Sequence, residues 1–144
     1  MFFSALLRIA GAAVIASVAM SVSAAELNVR ITGITDKAGT IHVYVFTSAE
    51  GFPKEENAAV HVNRPAPTSA QQIDMVIQVP DSPAYALMAY QDKNEDGKMN
   101  RFLGMIPKEP YGMSRNPDVM GKPKFSDSSI QPAAGEVIVM KLRD

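Results

Sequence analysis

The chain has 144 residues, with 14 basic and 15 acidic side chains, no cysteine and a formal net charge of −1. Near-balanced charge with no basic cluster leaves no electrostatic footprint for nucleic acid and no polybasic stripe for a membrane surface. The missing cysteine excludes disulfides, thiolate metal sites, thiol catalysis and a lipid-modified N-terminal cysteine.

In chain order, the first segment, "MFFSALLRIAGAAVIASVAMSVSAAEL", reads as a targeting signal. Arg8 supplies the positive region, residues 9–20 the short apolar stretch, and Val22-Ser23-Ala24 the small-residue cleavage pattern. Cleavage is expected after Ala24, with Ala25 as the second choice. The apolar run over residues 9–22 is 14 residues long, short of the ~20 needed to span a bilayer. Residues 1–24 are therefore assigned to a signal peptide and residues 25–144 to one domain, periplasmic or secreted. Losing Arg8 leaves 13 basic and 15 acidic groups, a net charge of −2. The mature chain has no other spanning apolar run, so no membrane insertion is expected, and a monomer is the expected state.

"ELNVRITGI" alternates Leu27, Val29 and Ile31 against Asn28, Arg30 and Thr32, the period of a half-buried strand. "TDKAG" supplies turn chemistry and "TIHVYVFT" a second strand, so the pair reads as a hairpin. "SAEGFPKEEN" reads as a loop, and "AAVHVNRP" as a short strand ending near Pro65, since proline cannot donate to a ladder. "QQIDMVIQVP" alternates again. "AYALMAYQ" is apolar on both faces and reads as a central strand. "FSDSSI" is a candidate short strand, and "GEVIVMKL" the closing one. The expectation is all-β: an antiparallel β-sandwich of about seven strands, with an all-β barrel as the alternative.

Residues 91–124 break the pattern. Four glycines and four prolines punctuate a stretch without strand or helix periodicity, far longer than the roughly 15 residues usual for a structureless loop. Yet Phe102, Leu103, Met105, Ile106, Tyr111 and Met113 make it too apolar for a solvated tail. The loop opens with "DKNEDGKMN", which fits the first nine positions of a calcium-binding EF-hand loop. Asp92, Asn94 and Asp96 hold the side-chain positions, Gly97 the bend, Lys98 the backbone-carbonyl position and Asn100 the water-mediated one. The twelfth position holds Leu103, which offers no carboxylate, so the set must be completed from elsewhere. Glu109 is the first candidate and Asp118 the second. With only Asp92 and Asp96 as anions the formal ligand charge is −2, which points to a weak calcium site with Kd roughly 10⁻⁴ to 10⁻³ M. The plain alternative is a polar turn, since Asp, Asn and Gly favour turns for backbone reasons.

The stretch "AYALMAYQDKNEDGKMNRFLGMIPKEPYGMSRN" resembles the core of the bacterial domain of unknown function 2141. That family reads roughly as a Gly-x-Tyr-Ala strand, then His-Asp-x-Asn-x-(Asn/Asp)-Gly-x-(Leu/Met)-Asp, then Gly-x-Pro-x-Glu-x-Tyr-Gly-Phe-Ser. Tyr85-Ala86, Asp92, Asn94, Asp96-Gly97 and Met99 match, as do Gly104, Pro107, Glu109, Tyr111-Gly112 and Ser114. Gln91, Ala84, Asn100 and Met113 depart from the pattern, and Asn100 removes a carboxylate. The resemblance implies a small exported β-sandwich of the transthyretin or carboxypeptidase-regulatory type, with no established catalytic activity.

Other chemistries fit less well. Asp92, Asp96 and Glu109 as a glycosidase pair would need carboxylates arranged around a substrate rather than within a turn. A nucleophile-elbow motif is missing. His42 and His61 stand singly on predicted strands, so a zinc pair has no visible ligand spacing. Copper is the alternative metal: Met99, Met105, Met113 and Met120 all fall in the long loop, and thioethers suit Cu(I). Their wide spacing favours gap-filling packing. A last alternative is an ion-independent module binding an unidentified protein or ligand through edge strands or "EGFPKEEN". A non-enzymatic exported protein is the expectation.

Overall fold

The computed structural model describes residues 24–35, 37–102, 106–118 and 121–144. The signal-peptide assignment falls almost wholly on residues 1–23, outside the described residues, as do Leu103, Met105 and Met120.

Nine strands are described: β1 (Ala24–Thr32), β2 (Thr40–Phe46), β3 (Val60–Pro65), β4 (Ile73–Pro80), β5 (Ala86–Asp92), β6 (Arg101–Phe102), β7 (Ile106–Pro107), β8 (Tyr111–Met113) and β9 (Val137–Lys141). Seven of them form two facing sheets, β4-β1-β9 and β3-β2-β5-β8, while β6 and β7 make a small ribbon. The all-β, two-sheet expectation is met. Alternating residues explain why: Leu27, Val29 and Ile31 on β1, with Met75, Ile77 and Val79 on β4, turn to one interior. There they meet Ile41, Val43, Val45, Leu87 and Ala89 of the other sheet. Full burial of each large aliphatic side chain contributes about 1.5–3 kcal/mol.

Three sequence expectations need correction. First, β1 and β2 are not a hairpin. β1 pairs with β4 and β9, whereas β2 pairs with β3 and β5. A central strand buried on both faces needs two neighbours of its own, and β2 is buried from Ile41 through Phe46. The linker after β1 therefore crosses between sheets. Second, the sandwich is not wholly antiparallel, because β9 runs parallel to β1, pairing Val29 with Ile138 and Ile31 with Met140. Third, "FSDSSI" holds one helical turn, α1 (Phe125–Ser128), in which the Asp127 carboxylate accepts a bond from the Lys124 N–H at 2.9 Å. Only Ile130 of that stretch makes a β-bridge, with Tyr85.

The second sheet has two apolar faces. Tyr44, Phe46, Ala86, Met88 and Tyr90 point away from the sandwich interior and form a separate cluster with Phe52, Met99 and Met113. The long segment after β5 is thus folded down by its own apolar residues. Ser114 adds a buried polar link, its hydroxyl accepting from the Leu87 N–H at 3.0 Å and donating to the Ser128 carbonyl. Asn116 then lies along the open edge of β9, its side chain accepting from the Lys141 N–H at 2.8 Å and donating to the Val139 carbonyl at 3.2 Å. A side-chain amide covers an edge that would otherwise template another strand.

Candidate metal centre

β5 runs one residue further than the loop reading supposed, so Asp92 is its last residue and only 1% exposed. The strand end is held by β2 through the Thr40–Asp92 pairing and by Gly39, whose backbone passes so close to the Asp92 carbonyl that a Cβ there would collide with it. Gly39 has a φ of 81°, a left-handed geometry that glycine adopts without strain.

After Asp92 the chain turns sharply. Gly97, at φ 78°, brings its N–H to Asp92 Oδ2 at 2.8 Å. The Lys98 N–H donates to Asp96 Oδ1 at 3.1 Å, and the Asn94 amide meets Asp96 Oδ2 at 3.4 Å. These backbone and amide donors, led by Lys98, hold the exposed Asp96 carboxyl below its ordinary pKa. The β6–β7 ribbon then doubles the chain back. The Lys108 N–H donates to the Asn100 carbonyl at 2.7 Å and the Gln91 N–H to the Pro110 carbonyl at 2.9 Å, which sets Glu109 beside the end of β5.

Glu109 is 6% exposed, and its Oε2 accepts from the Asn100 N–H at 3.3 Å. Burial pushes its carboxyl above the ordinary range, the Asn100 N–H opposes the shift, and the charges of Asp92 and Asp96 add to it. Asp92, Asp96 and Glu109 each place a carboxylate oxygen within 4.8 Å of the others. Two of the oxygens, Asp92 Oδ1 and Glu109 Oε1, are buried without a hydrogen-bond partner.

The structure therefore brings together three of the six residues read from the sequence as ligands by their carboxylates: Asp92, Asp96 and Glu109. Asn94 and Asn100 touch the same carboxylates through hydrogen bonds to Asp96 and Glu109. Lys98 enters through its backbone. Asp118 does not join: it is fully exposed and pairs with Arg143 at 3.2 Å. Met99 and Met113 are buried in the outer apolar cluster. His42 and His61, read singly from the sequence, are neighbours: His42 Nδ1 lies 2.8 Å from His61 Nε2, and His42 Nε2 lies 3.5 Å from Asp92 Oδ2.

Fold and site define a small two-sheet β-sandwich with a carboxylate-lined turn at the end of a central strand. The chain belongs to the family described as an uncharacterized protein conserved in bacteria (DUF2141), whose model matches residues 29–139. No curated protein and no solved structure matches it.

Proposed function

We propose that the chain is an exported, non-enzymatic β-sandwich protein in which Asp92, Asp96 and Glu109 hold a divalent cation of calcium's class in a structural role. The two unpartnered buried oxygens, Asp92 Oδ1 and Glu109 Oε1, carry the reading. A buried anionic oxygen without a donor is costly, and carboxylates that bring oxygens within 4.8 Å of one another also repel. A cation between them removes both penalties. An all-oxygen donor set selects a hard ion, and a strand end, a turn and a returning segment suit calcium's flexible coordination better than magnesium's rigid octahedron. The Lys98 backbone carbonyl and the side chains of Asn94 and Asn100 complete the proposed set. With Glu109 included the formal ligand charge is −3, which moves the expected Kd toward roughly 10⁻⁴ M. Two facing sheets are also what the sandwich of transthyretin type implied by the family resemblance would need.

In this reading the ion ties together the end of β5, the turn and Glu109, whereas the apolar cluster holds the rest of the segment. At ten times its Kd, calcium stabilises the fold by about 1.4 kcal/mol. Thermal melts and limited proteolysis in millimolar calcium and in chelator test this. Calcium should raise the melting temperature by several degrees and protect residues 92–109, and Asp92→Ala should abolish both effects. Identical melts and digestion patterns in the two buffers sink the reading.

Cu(I) handling is a second reading, favoured by the convergence of Met88, Met99 and Met113 on one cavity of about 110 Å³. Arg101, Lys141 and Arg143 line the same cavity and oppose a cation there. A Cu(I) competition assay on wild type and Met99→Leu separates thioether ligation from packing. The outer edges of β3 and β4, each paired on one side, suit an ion-independent module that adds a partner's strand.

A further inference from the structure

His42 stands on β2 with its two ring nitrogens facing opposite ways. On one side Nε2 lies 3.5 Å from Asp92 Oδ2, longer than an N–H···O hydrogen bond but close enough for the ring dipole and the carboxylate to attract. On the other side Nδ1 lies 2.8 Å from His61 Nε2 on β3. The two imidazole planes differ by 13° and their centres lie 5.1 Å apart, so the rings meet edge to edge along the N···N line. That alignment suits an N–H···N hydrogen bond. It does not suit a shared zinc ion, which would need about 2.0 Å to each nitrogen.

The His42 ring is also fixed in its plane. It is 6% exposed and lies parallel to Tyr90, with centres 4.9 Å apart and planes 7° apart. Its partner His61 lies parallel to Tyr44, with centres 4.3 Å apart and planes 1° apart. His61 is exposed, so the line of groups runs from the surface to the buried carboxylate.

We infer that His42 is a positioning residue of the cation site, oriented by His61, and that it turns Asp92 so that Oδ1 faces the ion. The inference rests on the calcium reading above. A carboxylate beside Nε2 draws the ring proton to that nitrogen, which leaves Nδ1 to accept from His61 Nε2–H. Asp92 Oδ2 then faces the His42 N–H as well as the Gly97 N–H at 2.8 Å, while Oδ1 has no protein partner. The carboxylate cannot rotate without giving up both contacts. Groups that orient a metal ligand in this way typically account for 10- to 100-fold in metal affinity.

Calcium titration calorimetry on the purified protein tests the inference, with His42→Phe, His42→Gln and His61→Phe beside wild type. Phe keeps a flat ring in the stack but removes both nitrogens. Gln loses the ring but keeps an amide donor near the place of Nε2. His42→Phe should weaken calcium binding about 10- to 100-fold and His42→Gln should recover most of that loss. A role confined to packing gives the opposite order. His61→Phe, at an exposed position and one step further from the carboxylate, should weaken binding measurably but by less than His42→Phe. Wild-type affinity in His42→Phe, or Gln binding no better than Phe, overturns the positioning role and leaves the calcium site standing. If His42→Phe fails to fold, wild-type affinity in His61→Phe overturns it instead. A wild-type protein that binds no calcium takes down both this inference and the reading beneath it.

Discussion

Glu109 concentrates the electrostatics of the site in one carboxyl. Its pKa is raised first by burial and then by the charges of Asp92 and Asp96. A group whose folded pKa lies above its unfolded value contributes stability below the unfolded value, and that contribution is lost as pH rises through the folded one. The ion-free protein therefore gains from acidification in that window, because a proton on Glu109 relieves the crowding. A cation in the proposed site would relieve the same crowding, so proton and cation would compete for one place. Calcium affinity should fall as pH drops through the raised Glu109 pKa, while the melting temperature of the ion-free protein rises relative to its calcium-loaded form. Calorimetry and melts across that pH range check both signs, and an affinity independent of pH there contradicts them. Asp92 and Asp96 were legible from spacing, because alternation around a glycine bend is written in consecutive residues; Glu109 lies outside that run and was a candidate to complete it, beside Asp118. His42 was not. Its relation to Asp92 depends on the β2–β5 pairing, and its relation to His61 on the β2–β3 pairing. Asp118 had the right chemistry and the wrong neighbour, since Arg143 holds it at the surface.

At the scale of elements, the outer face of the β3-β2-β5-β8 sheet decides how the long segment is held. Met99 is 6% exposed and packs with Tyr44, Phe46, Met88, Tyr90 and Met113. Met99→Ala should cost about 2–5 kcal/mol by deleting buried apolar atoms and leaving a cavity. The loss should be read as a lower denaturation midpoint together with faster proteolysis just after the Asp92–Asn100 turn. A midpoint unchanged from wild type would mean that the apolar cluster does not anchor this segment. The segment's apolar residues announced that it would fold down, but not on which face. That information lies in His42, Tyr44 and Phe46, which alternate with Ile41, Val43 and Val45 and give β2 a second buried face. The same two-sided burial is what made the hairpin reading of β1 and β2 fail. A linker with turn residues serves equally to reverse within one sheet or to cross to another, and only the neighbours available to β2 distinguish the two. The parallel β1–β9 pair was invisible for a similar reason, since alternation marks a strand and its buried face but not the direction of its partner.

For the molecule as a whole, alternation in β1, β4 and β9 and an apolar run on both faces of β5 made the all-β two-layer architecture readable. Its strand order rests on contacts far apart in sequence, as where Val29 meets both Met75 and Ile138. The same long-range closure creates the site: β5 delivers Asp92, the turn Asp96, and the β6–β7 ribbon returns Glu109 to them. A domain of this size is marginally stable, so the proposed cation at such a junction would matter to local order more than to the existence of the fold. Titration of calcium into wild-type protein and Glu109→Gln, followed by heat, tests the junction most directly. One site per chain is predicted, with Kd near 10⁻⁴ M in order of magnitude and a clear loss of affinity in Glu109→Gln, which removes one of the three ligand charges. Absence of binding heat up to about 10 mM calcium, well above the weakest affinity expected of such a site, would contradict it.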